Sequence, residues 1–314
     1  MEESCTNDNW HKFQNEDYLY YLISSEASQT YFHSNAAGAA VKNLNADIIK
    51  LLPIYLSKNK HEQQKIASCL SSLDEVITAE SQKLDLLKDH KKGLMQNLFP
   101  QEGEKVPKYR FKEFEKDGKW EEKTLDEICK LVRGPFGGAL KKEIFVKEGY
   151  AVYEQSHAIY GDFGFFRYYI DESKFSELKR FSVRQGDLIM SCSGTMGKFA
   201  IIPQNNKSGV INQALLKLTV KKGYNNLFVK ITLETEYNQN KLLSQSAGGA
   251  IKNVVSVSLI KELGLLMPSI KEQQKIASCL SALDELIMAQ TAKIEQLKQH
   301  KKGLMQGLFP KIIE

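Results

Sequence analysis

The chain has 314 residues, 42% of them hydrophobic, and carries a formal net charge of +5. That length allows one or two cores joined by long helices, and the mild basicity suits a polyanionic partner without requiring one. There is no run of 18 apolar residues and no signal-peptide pattern, so a cytoplasmic protein with no membrane partner is expected. The five cysteines, Cys5, Cys69, Cys129, Cys192 and Cys279, have no CxxC spacing and are read as reduced structural thiols.

Residues 1–15 are polar and irregular. Glu16 to Asn43 reads as the end of a domain, because the helix-like stretch Tyr18 to Ser25 and the small-residue run Ala37 to Asn43 both recur 210 residues later. Their counterparts are Phe228 to Thr235 and Ala247 to Asn253. Residues 1–58 are therefore expected to be the C-terminal remnant of a first globular domain, with nothing here corresponding to residues 120–220 of the second.

Residues 59–100 form the first long helical region. Glu62 to Pro100 recurs as Glu272 to Pro310 with 28 of 39 positions identical. Apolar residues fall at Ile66, Leu70, Leu73, Ile77, Leu84, Leu87, Leu94 and Leu98 in steps of three and four, the spacing of a heptad seam. The second copy places Ile276, Leu280, Leu283, Ile287, Ile294, Leu297, Leu304 and Leu308 identically. Two seam positions per copy are polar, Glu80 and Lys91, then Gln290 and Lys301. Polar seam residues weaken a pair but fix its register and partner. The spacing predicts one specific pairing of two rods, each roughly 55 Å long at about 1.5 Å per residue. Asn59 and Ser269 are start signals, the latter opening a capping box with Glu272, and Pro100 and Pro310 are stops.

Residues 101–119, with Gly103, Pro107 and Gly118, read as a linker. A mixed domain follows at 120–261. Thr124-Leu-Asp-Glu127 is a capping box, opening a short helix with apolar positions Leu125, Ile128 and Leu131. Gly134 to Gly138 is a loop, and the clearest strands are Asp187–Ser191, Phe199–Pro203 and Val210–Val220. Asn226 to Ser246 is helical. The second long helical region spans 262–314.

No catalytic constellation stands out. Ser193-Gly-Thr-Met-Gly-Lys198 lacks two residues of a Walker phosphate loop and reads as a tight turn between strands. There is no Pro-Pro pair for an adenine methyltransferase loop. The six histidines, His11, His33, His61, His90, His157 and His300, have no metal-ligand spacing. The chain is expected to catalyse nothing and to hold no metal.

A domain with a Trp near its start, a Gly-Asp-Leu-Ile strand and a Gly-rich stretch, followed by Glu-Gln-Gln-Lys-Ile on a long helix ending Leu-Phe-Pro, resembles the specificity subunit of type I restriction-modification systems. The resemblance covers essentially the whole chain. It implies an α/β (α+β) fold, a globular target-recognition domain plus two long helices paired as an antiparallel coiled coil. It also implies double-stranded DNA as ligand, with modification (methyltransferase) subunits and a restriction (translocase-nuclease) subunit as partners. S-adenosylmethionine, ATP and Mg are implied in those partners, and no cofactor in this chain. The rod lysines Lys88, Lys91, Lys92, Lys298, Lys301 and Lys302 are expected on partner- or phosphate-facing surfaces. Most of a first recognition domain is missing from the pattern. Two alternatives therefore stay open, a half-subunit that self-associates to rebuild a symmetric site and a truncated cassette product that reads nothing.

DNA reading is expected in residues 120–261, which hold 20 Lys and Arg against 14 Asp and Glu. Phosphate contacts position a protein, whereas base edges specify sequence. Candidate phosphate residues are Arg133, Lys141, Lys142, Lys147, Lys179, Arg180 and Lys198. Base-edge candidates are Gln155, His157, Arg167, Ser193, Thr195 and Gln213, with forked or small polar ends. The aromatic stretch adds Tyr153, Tyr160, Phe163, Phe165 and Phe166 as residues that approach the duplex.

Overall fold

The computed structural model describes residues 15–36, 44–53, 57–136, 138–247 and 257–309. The repeated small-residue runs at 37–43 and 248–253 lie outside them. In chain order the helices α1 to α4 are Glu16–Ile23, Glu26–Asn35, Ala46–Lys50 and Lys60–Leu98. Then come β1 (Glu121–Thr124), α5 (Leu125–Ile128), β2 (Cys129–Arg133), β3 (Tyr150–Tyr153), α6 (Gln155–Tyr160), β4 (Tyr169–Ile170) and α7 (Glu172–Glu177). The strands β5 (Leu188–Ser191), β6 (Phe199–Ile201), β7 (Gly209–Ile211) and β8 (Leu215–Val220) follow. The chain closes with α8 (Asn226–Glu234), α9 (Glu236–Ala247), α10 (Val257–Lys261), β9 (Gly264–Met267) and α11 (Ile270–Leu308). Two compact units result, Met1–His90 with Asp284–Glu314, and Lys91–Leu283, so both long helices contribute to each.

In the first unit α4 and α11 run antiparallel as a pair. Leu70 is fully buried, and Ile66, Leu73, Ile77, Leu84 and Leu87 are half-buried along the same stripe. On α11, Gln290 and Ile294 are buried and Ile287 and Leu297 half-buried. The polar seam residues meet each other: the Gln290 side-chain amide donates to the Glu80 carbonyl at 2.9 Å and to its carboxylate at 2.6 Å, and Lys293 closes on the same carboxylate. Lys301 lies in the seam, as its heptad position predicts, and not on an outer face, donating to Asp74 at 2.6 Å. Tyr21 donates to that carboxylate at 2.8 Å. The helix α1 seats Tyr18, Tyr21 and Leu22 against Ala67, Leu70 and Phe309. Leu308 departs from the expected seam: it is 36% exposed, and Phe309 is buried in its place.

The second unit is built on three sheets. A two-stranded sheet pairs β1 with β9, a four-stranded sheet has the order β2-β8-β5-β6, and a three-stranded one has the order β4-β3-β7 with β3 and β7 parallel. Strand β5 is buried on both faces: Leu188 and Met190 enter the main core and Ile189 enters a second core with Tyr153, Ala200, Ile211 and Leu215. This is why it reads as an unbroken apolar run rather than an alternating one. Gly209 is required where β7 passes β3, because a Cβ there would lie 2.0 Å from the Ala151 carbonyl oxygen.

Four expectations change here. The apolar run Val210–Val220 is two strands in different sheets, divided at Asn212 to Ala214. The helix opened by the Thr124–Glu127 capping box, which does form, ends at Ile128, and Leu131 belongs to β2. Residues 101–119 are irregular but anchored, with the Trp120 amide donating to the Lys105 carbonyl and the Arg110 guanidinium gripping Glu272 at 2.7 and 2.8 Å. Glu272 therefore does not reach back to complete a capping box; only the Ser269 hydroxyl half is present, accepting from the Glu272 amide at 3.4 Å.

Candidate nucleic-acid interface

The four-stranded sheet of the second unit brings several chain turns to one edge. Arg133, the last residue of β2, pairs with Leu216 at the start of β8, and Ser191, the last residue of β5, pairs with Leu215. Met190 of β5 pairs with Phe199 at the start of β6. β3 ends at the same edge, since Tyr153 is the register partner of Ile211 and the Asn212 amide donates to the Tyr153 carbonyl at 3.0 Å. The loop 134–136, the start of α6, the turn 192–198 and the Asn212–Ala214 connection therefore converge.

Their contacts lock that arrangement. A Cβ on Gly134 would sit 1.8 Å from the Asn212 carbonyl oxygen, so only glycine lets the two loops touch. The Ser191 hydroxyl accepts from the Lys198 amide and donates to the Thr195 carbonyl, pinning the turn. Gly194 and Gly197 take φ of 57° and 72°, the left-handed conformation that a tight turn needs. The reading of Ser193–Lys198 as a turn rather than a phosphate loop holds. The Ser193 hydroxyl donates to the Gln155 amide oxygen at 2.8 Å, tying α6 to the turn. The Lys141 stem folds back against Gly138.

Six of the eighteen expected DNA-contacting residues, Arg133, Gln155, Ser193, Thr195, Lys198 and Gln213, thus share one edge. Thr195, Lys198 and Gln213 are exposed. Arg133 is the most telling: its Nε and one terminal nitrogen are buried with no hydrogen-bond partner, and its guanidinium lies 5.8 Å from the Phe136 ring centroid. A buried donor left unpaired costs about 1–3 kcal/mol, and acceptors brought by a ligand would remove that cost. Below it the Cys192 thiol is pushed up to about 12 by burial, so it stays protonated and neutral. Chemically, the edge offers one forked cation, one lysine, two hydroxyls and two side-chain amides. That set suits acceptor-rich base edges and phosphates.

Other candidates are placed elsewhere. Tyr153 is fully buried, its hydroxyl donating to the Lys207 carbonyl at 2.6 Å. His157 is 3% exposed, and its ring nitrogens engage the Glu154 backbone and the Phe165 carbonyl. Phe166 stacks on it at 4.7 Å. These three, with half-buried Phe163, build the core under α6, which corrects their expected approach to the duplex: their polar atoms are used and their rings enclosed. Gln155–Tyr160 is helical because Glu154 and His157 cap it reciprocally. Tyr160, the last residue of α6, and Phe165 are 78% and 75% exposed, whereas Arg167 sits 3.8 Å from Glu154, the N-cap of α6. Lys142 is exposed. Lys147, Lys179 and Arg180 are exposed on segments beside the three-stranded sheet. Sequence reasoning missed Phe136 and Asn212; the glycines flanking Phe136 and the Asn-Gln-Ala break in the strand run were the available signals.

Among the described residues no group of three or more His, Cys, Asp or Glu could hold a metal ion, and no helix is long and apolar enough to cross a membrane.

Comparison with known proteins gives one consistent family. The profile of the type I restriction modification DNA specificity domain matches residues 1–89 and 117–299. The type I restriction enzyme MjaVIII specificity subunit of Methanocaldococcus jannaschii is 22% identical over 302 residues, covering 93% of this chain and 69% of that protein. The putative type I restriction enzyme MjaX specificity subunit of the same organism is 26% identical, covering 93% of this chain and 67% of that one. The crystal structure of a type I restriction-modification system S subunit from M. genitalium superposes with a TM-score of 0.60 at 17% identity, covering 95% of this chain and 73% of that one. The likeness to that structure concerns the fold.

Proposed function

The chain belongs to the type I restriction modification DNA specificity family, and on that premise we infer that it is a sequence-reading scaffold whose loops at one sheet edge contact double-stranded DNA. The observation that carries this reading is the convergence of Arg133, Gln155, Ser193, Thr195, Lys198 and Gln213 on that edge. Arg133 and Gln155 are the base-edge readers. An arginine fork matches the O6 and N7 acceptors of guanine, and a glutamine amide matches adenine. Ser193 orients Gln155 through their hydrogen bond, and Lys141 and Lys198 neutralise phosphates.

The chain itself performs no chemistry in this reading. Modification subunits carrying S-adenosylmethionine methylate adenine at the site, and a translocating nuclease subunit using ATP and Mg joins for restriction. The paired rods are their docking frame. Val76 and Leu286 occupy equivalent positions of the two helical copies and are both solvent-facing, 44% and 54% exposed. Two equivalent apolar footholds suit two copies of one partner.

The test is mapping of methylated adenines in cells that hold the modification subunit, with and without this chain. The reading expects one enriched sequence context only when the chain is present, and a changed context with Arg133→Gln. A pattern indifferent to the chain would overturn it.

A further inference from the structure

The two rods are near-twins, so their apolar seams cannot tell one from the other. At seven of the eight apolar seam positions the residue is identical in both copies, and Leu84/Ile294 is the conservative exception. A second α4, from another molecule, would present almost the same stripe as α11. The polar seam position breaks the tie. Glu80 and Gln290 are equivalent residues, 210 apart, and in the pair they face each other. A residue meets its own counterpart only where the local two-fold relating two antiparallel strands of a coiled coil passes. Any α4·α4 pair in this register would therefore set Glu80 against Glu80, two carboxylates at hydrogen-bond distance with no donor between them.

We propose that the Glu80–Gln290 contact is the partner-selecting device of the rods: it admits α11 opposite α4 and rejects a second α4. In the observed pair the Gln290 amide donates to both the carboxylate and the carbonyl of Glu80, and Lys293 supplies the counter-charge. In the rejected pair two like charges share one site, which forces one of them to take up a proton. A single polar seam position is a known means of fixing register and partner in coiled coils, and here the difference between Glu and Gln gives it a direction. The lysine at the equivalent place in the first copy, Lys83, already adds its field to Glu80. It stands ready for the mirror-image arrangement.

That symmetry makes the test. Amide hydrogen exchange is followed in the full-length chain over residues 77–84 and 287–294. Gln290→Glu recreates the rejected facing pair, and exchange there should quicken about tenfold or more at neutral pH. Protection should return on acidification into the carboxylate range, where the facing pair takes up one proton and shares it. The double swap Glu80→Gln with Gln290→Glu restores one acid facing one amide and should recover protection near that of the natural chain. Lys293→Ala should loosen the natural chain more than the swapped one, and Lys83→Ala the swapped chain more than the natural one. A swapped chain as unprotected as Gln290→Glu alone, or a Gln290→Glu chain with unchanged exchange, would overturn the proposal. Circular dichroism of each variant separates local loosening from failure to fold.

Discussion

One 39-residue motif sits in two surroundings. At its end in the first copy, Phe99 stacks on Phe228 at 5.6 Å and takes the edge of Trp120 at 6.1 Å, and Leu98 before it is 4% exposed. In the second copy Phe309 meets Tyr18, the counterpart of Phe228, also at 5.6 Å, but Leu308 is 36% exposed. At the motif's start Glu272 is buried in a two-pronged pair with Arg110, whereas its twin Glu62 is exposed and bonds Ser57. The seat for the Phe is thus carried by the repeat itself. What differs is Arg110 and Trp120, both on the stretch between the first long helix and β1. Identical side chains become core or surface according to whether that stretch is packed beside them.

The comparison can be broken from the strongest contact downward. Phe99→Ala should cost about 3–5 kcal/mol by denaturant unfolding, the range for losing a well-enclosed phenylalanine. Phe309→Ala should cost less, since no Trp120 closes over it; equal losses would show that the stretch around Trp120 adds nothing. Arg110→Met should cost about 3 kcal/mol because it strands the Glu272 carboxylate in the core, and adding Glu272→Leu should recover most of that loss. A double variant no better than Arg110→Met would mean the guanidinium acts through its bonds to the Asp117 and Gly118 carbonyls. Next comes pH. Lys293 and the Gln290 amide hold the Glu80 carboxyl below its ordinary range. A depressed carboxylate stabilises the folded chain above its unfolded titration, and that stabilisation fades as pH falls through the folded value. Glu80→Gln should flatten the acid limb of the stability curve, read by thermal midpoints across pH. Smallest is Glu62→Gln, expected to leave the midpoint nearly unchanged because the group is solvated.

The sequence made the rods legible because a heptad repeat and a duplicated motif are both local signals. The partner residues Glu80 and Gln290 could be named as seam residues, yet their direct contact needed the register that only the pair supplies. In the second unit the turn at Ser193 to Lys198 was readable from its glycines. Tyr153 and His157 were not placed correctly, since an aromatic-rich polar stretch looks the same whether its rings face a ligand or a core. The stretch 101–119 misled for the opposite reason: its composition is that of a linker, while Arg110 within it and Trp120 just beyond it anchor it. In the sequence Arg133 is distinguished by its charge alone. Its buried, unpaired nitrogens emerge only where β2 ends beside Cys192 and Phe136.

The account rests on the loops at one edge of the four-stranded sheet reading base edges. The most direct measurement is selection of bound duplexes from a random pool by the natural chain and by Arg133→Gln, at fixed salt, since affinity without salt control reports only phosphate attraction. The account predicts one enriched sequence for the natural chain, and relaxed preference at particular base pairs for the variant, at a cost of about 1–3 kcal/mol on the best site. Equal enrichment of the same sequence by both chains, or no enrichment by either, would contradict it.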